Sequence, residues 1–263
     1  MSTSTLTYAL GDSATMLRRN LKHALRYPTM TVSVIAMPVL MLLLFNYAFG
    51  GAIGAGIGGS GGSYIGYVAP GIILMAAVSG AVSCATSVCV DMTEGIVNRI
   101  RTMSISRGAF LCGHVFGNVI QTMVSIALVV GVALLLGFRP DATPVEWLAA
   151  AGLLLLLAIA LGWLSAALGM VSKTPEAASN APMPLQFLPL LGSAVVPTES
   201  MPTALRWFAE YQPFTPVIET LRGLLMGTEI GTSAVVSLAW CAGLTALGYL
   251  WARSAFNRGA KRA

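Results

Sequence analysis

Runs of about twenty apolar residues recur along this chain, and a helix of that length matches a hydrocarbon core roughly 30 Å thick. Such windows fall at 29–49, 67–90, 109–137, 145–171, 182–196 and 232–252, the fifth being short and interrupted by proline. Charged residues make up only 10% of the 263 residues and hydrophobic ones 56%, whereas a soluble domain carries roughly 25% charged residues. The predicted fold class is all-α: a polytopic membrane protein with six transmembrane helices in a single domain, 1–263.

Orientation follows from the basic residues, which stay preferentially on the cytoplasmic side of short loops. Arg18, Arg19, Lys22, Arg26, Arg99, Arg101, Arg107, Lys173, Arg253, Arg258, Lys261 and Arg262 fall on one side of the predicted topology; only Arg139, Arg206 and Arg222 fall on the other. Both termini are therefore expected in the cytoplasm. Acidic residues Asp141, Glu146, Glu199, Glu210, Glu219 and Glu229 lean outward, so the net charge of +5 reflects topology and calls for no nucleic-acid partner. The ratio of 3 lysines to 12 arginines points to a GC-rich bacterium, and the expected location is its cytoplasmic membrane, crossed several times. A cleavable leader is the competing account of the first run, since Ala48-Phe49-Gly50 loosely resembles a cleavage site. About 28 residues precede the run, however, and it exceeds the usual signal core, so a retained helix is expected. Cys84, Cys89, Cys112 and Cys241 lie within or beside spans and form neither a disulfide framework nor a zinc pattern.

Outside the spans, three stretches carry pattern. Residues 10–27 place Ala14, Leu17, Leu21 and Ala24 on one helical face and Arg18, Arg19, Lys22 and Arg26 on the other, which suits a helix lying on anionic inner-leaflet lipid. Asp12 fits its N-terminus and Pro28 marks its end. Residues 91–107 are charged and amphipathic between two apolar runs. Met92, Ile96, Ile100 and Met103 form one stripe, with Asp91, Glu94, Arg99 and Arg101 around it. Such a helix at a membrane edge needs a docking partner, and a separate motor subunit is the expected one. The third stretch, 182–216, holds seven of the thirteen prolines. Proline removes backbone donors, and broken helices are tolerated in membranes where the backbone is covered by protein or lines a cavity. Pro202–Tyr211 and Thr215–Gly227 are amphipathic and too short to span, which predicts external helices over 202–227 dipping into the outer leaflet.

Gly50 to Gly66 holds nine glycines in seventeen residues, yet no G-x-x-x-x-G-K-S/T sequence occurs anywhere in the chain. A flexible external tether is expected there, and the chain is predicted to bind no cofactor and to have no ATPase activity of its own. On the third predicted helix His114, Asn118, Gln121 and Ser125 recur at helical spacing, and polar side chains within spans face a bundle interior or a hydrated cavity. Hydrogen bonding between helices is the stronger expectation for this face, with a translocation path as the other; Ser79 and Ser83 on the second helix, with Gly80, Thr86 and Ser87, suit close packing. His114 alone would suit a proton relay, but apart from Glu146 at the outer edge of the fourth no Asp or Glu falls inside the predicted spans to accompany it. A secondary transporter would show mid-membrane charge or symmetric broken halves, and an enzyme would need a nucleophile, a metal cluster or paired carboxylates; neither set is present in the sequence.

Two stretches carry a family resemblance. EGIVNRIRTMSISRGAFLCGHV and FLPLLGSAVVPTESMPTALRWFAEYQPFTPVIETLRGLLMG, with the order of spans, resemble the membrane subunit of ABC-2 type exporters, especially the daunorubicin-resistance and nodulation-type permeases. Gln212 stands where the family commonly has Asn, and Glu219 where Asp is usual. The resemblance implies a half-transporter paired with a second permease, identical or homologous, and with two copies of a cytoplasmic ATPase that holds ATP and magnesium, all embedded among membrane lipids. It further implies that Asp91, Glu94, Ile96, Arg99, Ile100, Arg101 and Met103 couple to the ATPase, with Lys173 to Asn180 as a smaller second contact. Pro197, Pro202, Trp207, Pro213, Pro216, Glu219 and Arg222 would form an external gate. The expected cargo is a hydrophobic or amphipathic compound, drug-like by analogy, moved outward by alternating access; a lipid-linked glycan or a lipid is the alternative.

Overall fold

A computed structural model describes residues 28–50, 64–94 and 107–259. Every regular element among them is helical. In chain order these are α1 (Pro28–Leu44, continuing as a π-helical turn, Phe45–Phe49), α2 (Tyr64–Thr93), α3 (Arg107–Leu135), α4 (Pro144–Val171), α5 (Pro175–Asn180), α6 (Met183–Phe187), α7 (Thr203–Tyr211), α8 (Phe214–Met226) and α9 (Ser233–Gly259). Among the described residues four helices are long and apolar enough to cross a membrane: Tyr64–Thr93, Leu111–Leu135, Pro144–Val171 and Ser233–Phe256. The helix expected at 10–27 and the glycine-rich stretch 51–63 lie outside the described residues.

α2 is the central element. It packs against α1, α3, α4, α5, α6 and α8, and its buried residues, from Tyr64 to Asp91, fall all around its circumference. The cause is its sequence, apolar or small on every face, which is the mark of a helix enclosed by others. Small residues set the closeness of the contacts: a side chain at Gly169 of α4 would collide with the backbone carbonyl of Ala85 on α2, so the absence of one lets two helix backbones touch. α4 also packs along α9, where Trp163 and Tyr249 meet edge to face at 5.0 Å. α9 in turn exposes Val235, Leu238, Leu247 and Leu250, the aspect of a helix whose outer side faces hydrocarbon.

α4 has the clearest start signal of any helix. Thr143 caps it: the Glu146 N–H donates to Thr143 Oγ1 at 3.4 Å, and the Thr143 N–H donates back to Glu146 Oε2 at 2.6 Å. Pro144 occupies the first helical position, where a missing N–H costs nothing.

The stretch read as a fifth span does not form one helix. After α5 and the five residues of α6, the chain continues in turns from Leu188 to Val195. Pro182, Pro184 and Pro189 withhold the amide donors that a continuous helix would need. The stretch still carries the chain from one end of the bundle to the other. Ser172, just before it, accepts from the Cys89 thiol at 3.6 Å near the end of α2, whereas Ala194 packs against Gly71, two turns from the start of α2.

Candidate functional site

Polar groups gather at the two ends of the bundle. At the end where α2 finishes, α2 runs on past its apolar window to Thr93, because nothing between Val90 and Thr93 interrupts backbone hydrogen bonding. Asp91 is thereby drawn into the packed helix at 7% exposure, and His114, 6% exposed, sits opposite it on α3. His114 Nε2 donates to Asp91 Oδ2 at 3.0 Å. One expectation is corrected here: a carboxylate does accompany His114 within a spanning helix. Asp91, expected around the docking stripe, is buried. Hydropathy windows end where charge begins, whereas helices end where hydrogen bonding stops.

Glu94 is exposed just beyond α2, its N–H donating to the carbonyl of Val90. Ile96, Arg99, Ile100, Arg101 and Met103 lie outside the described residues. Next to this end, Lys173 is exposed and α5 begins with Thr174, whose Oγ1 accepts from the Ala177 N–H at 3.2 Å. α5 packs on α2 and buries Ala178 completely.

The polar face of α3 points inward. His114, Asn118 and Ser125 are buried and Gln121 half-buried; Thr122, which sequence spacing did not single out, is buried too and packs against Gly80 of α2. Ser79 and Ser83 are half-buried, and Ser79 Oγ donates to its own helix at Met75, 3.0 Å. This face joins α2 to α3 within one chain. A cavity of about 260 Å³ opens beside it, lined by apolar side chains that include Ile73, Met123, Ile126, Trp147, Leu154 and Leu225.

At the opposite end, Arg222 of α8 organises the turns that replace a fifth helix. Its Nη2 donates to the carbonyls of Ser193, at 2.7 Å, and Tyr67, at 3.2 Å, and its guanidinium lies 3.9 Å from the centre of the Tyr67 ring. The Tyr64 hydroxyl reaches the carbonyl of Val195 at 3.5 Å. A cation is well matched to such carbonyls, because charge-assisted bonds are roughly twice as strong as neutral ones. Glu219, one turn before Arg222, accepts from Ser233 Oγ at 2.9 Å and so ties α8 to α9. Gln212 is buried and donates to Thr215 Oγ1 at 3.2 Å.

The other residues expected at a gate are distributed around this cluster. Pro213 immediately precedes α8, and Pro216 is buried in its first turn. Pro197 precedes a single 3₁₀ turn, Thr198–Ser200, and Pro202 is exposed ahead of α7. Trp207 is 66% exposed, with its ring 5.3 Å from that of Tyr211. Arg206 and Glu210 pair at 2.7 Å on the open side of α7, and the hydrogen bond that the guanidinium donates to this carboxylate raises the arginine's pKa. Tyr67 and Ser193, the partners of Arg222, were missed in the sequence. They contribute backbone carbonyls or a ring face across large sequence separations, and residue spacing carries no trace of that.

Among the described residues no three His, Cys, Asp and Glu side chains converge as a metal site, and the four cysteines are free. What the arrangement offers is mechanical: two ends stapled by polar contacts, joined by packed helices with a buried polar face on α3 between them.

Comparison with known proteins gives a consistent result. The model of the ABC-2 type transporter family matches residues 13–226. The chain is 30% identical over 241 residues to the daunorubicin resistance ABC transporter permease protein DrrB1 of Streptomyces coeruleorubidus, covering 91% of this chain and 83% of that protein. It is 22% identical over 213 residues to the probable doxorubicin resistance ABC transporter permease protein DrrC of Mycobacterium tuberculosis, covering 81% and 76% respectively.

Proposed function

Because the chain belongs to the ABC-2 type transporter family, we propose that it is the membrane-spanning subunit of an ATP-driven exporter of hydrophobic or amphipathic, drug-like compounds. The observation that carries this is one family match running from residue 13 to 226, which takes in α1 to α8, the segment between α2 and α3 and the helices at the far end. The sequence holds no G-x-x-x-x-G-K-S/T stretch, so ATP and magnesium would be held by a cytoplasmic ATPase, in two copies, beneath a pair of permeases. The α2–α3 segment would seat on the ATPase, with α5 as a second, smaller contact. The Arg222 end would face outward. Cargo would move between the paired permeases by alternating access, with α7 and α8 closing the exit. The drug-like cargo is argued from the relatives, which are a daunorubicin and a probable doxorubicin resistance permease, and from the largely apolar lining of the cavity beside Trp147.

The test begins with purification from the native membrane in mild detergent. An ATP-binding subunit should co-purify in near-equal amount. Inverted vesicles carrying the pair should then take up daunorubicin, followed by its fluorescence, only when ATP is present. Reproducible absence of the ATPase from folded protein would overturn the permease assignment. Its presence without daunorubicin uptake would overturn the drug cargo.

A further inference from the structure

Asp91 and His114 stand on either side of the segment that joins α2 to α3: Asp91 lies in the last turn of α2, and His114 two turns into α3. Both are buried, the His114 side chain 6% and the Asp91 side chain 11% exposed, and they bond to each other at 3.0 Å. A carboxylate enclosed in this way presents little surface to a subunit standing in the cytoplasm. It can fix the distance between the two helices, because a buried charged partner is costly to leave unmatched and the bond is sensitive to geometry. The same end of α2 also touches the chain just beyond α4: the Cys89 thiol donates to the Ser172 carbonyl at 3.6 Å, and α5 packs against α2. One helix end thus meets both stretches expected to touch a motor.

We propose that the Asp91–His114 bond makes α2 and α3 move as one body when the segment between them is displaced, and that α2 passes this displacement to α5. Asp91 and His114 are positioning residues for transport, acting through the helices that carry them. The inference rests on the permease assignment for its purpose but not for the rigidity of the link, so two measurements separate the two.

In inverted vesicles with the co-purified ATPase, the amount of daunorubicin moved per ATP hydrolysed is compared for the native chain, Asp91→Asn, His114→Asn and the exchange Asp91→His with His114→Asp. Each single change is expected to lower that ratio by about tenfold, within the usual range of a coupling between sites, and the exchange to restore it. A native ratio in Asp91→Asn overturns the proposal. So does loss of the ATPase from Asp91→Asn while His114→Asn retains it, since Asp91 would then be a motor contact. Should a single variant fail to insert, the exchange decides: a native ratio supports the link, and an inserted but uncoupled protein overturns it. The second measurement needs neither ATPase nor cargo. Spin labels on unnatural side chains at Thr93 and Phe116, both exposed, should report one narrow distance in the native chain and a broadened one in Asp91→Asn. An unchanged distribution overturns the link even if the permease assignment stands, and a broadened one supports it even if that assignment falls.

Discussion

Arg222 shows how far one side chain can compensate for a missing helix. Pro182, Pro184 and Pro189 break the stretch that should close the bundle, and the guanidinium ties the turns that follow, through the Ser193 carbonyl, to the Tyr67 carbonyl of α2. Replacing Arg222 with Met keeps the bulk and removes the donors, and should destabilise the protein by about 3 kcal/mol, the scale of bonds to a charged donor lost at a buried site. Tyr67→Leu keeps the carbonyl and removes only the ring face, so its cost should be nearer about 1 kcal/mol. Unfolding in mixed micelles with rising SDS content would measure both; equal costs for the two would mean that the ring, not the carbonyls, holds the arginine. The cation itself was legible in the sequence as a charge in an amphipathic stretch. Its partners were not, because hydrogen bonds to backbone leave the residue type of the partner free. Asp91 teaches the converse. Its charge, with Glu94, Arg99 and Arg101, placed it around an amphipathic stripe, and only the length of α2 puts it inside.

At the scale of elements, the long helices announce themselves through composition. α2, α3, α4 and α9 are all continuous apolar stretches, and in a medium without water the backbone has little choice but to bond within its own segment. How closely they approach depends on particular small residues. Gly169→Val places two methyl groups against the carbonyl of Ala85, and should cost about 2 kcal/mol or more by forcing α4 away from α2. The SDS unfolding midpoint checks this, and an unshifted midpoint would show that the two helices slide apart freely. The stretch 182–196 is where an apolar window and a helix part company. Hydropathy counts side chains, whereas a helix also requires an amide hydrogen at every turn, and the prolines supply none.

For the molecule as a whole, the exposed apolar faces decide what surrounds it. Trp240 and Trp251 on α9 are 39% and 37% exposed, and Trp163 of α4 is 8% exposed. In variants retaining one tryptophan each, lipids brominated along their chains should quench Trp240 and Trp251 strongly and Trp163 weakly. Unquenched Trp240 and Trp251 would mean that a second subunit covers α9. A partner ATPase is implied by membership of an ABC transporter family. The sequence by itself determined the solvent and the all-helical class. Charge so scarce and apolar runs so long leave only a membrane protein of helices, and two stretches, 94–115 and 187–227, were enough to show its resemblance to ABC-2 exporters. Tertiary structure alone decided which polar groups meet. Asp91 finds His114 across 23 residues, and Arg222 finds Tyr67 across 155. Those meetings depend on the relative rotation and depth of packed helices, quantities set jointly by every side chain at each interface and written at no single position of the chain.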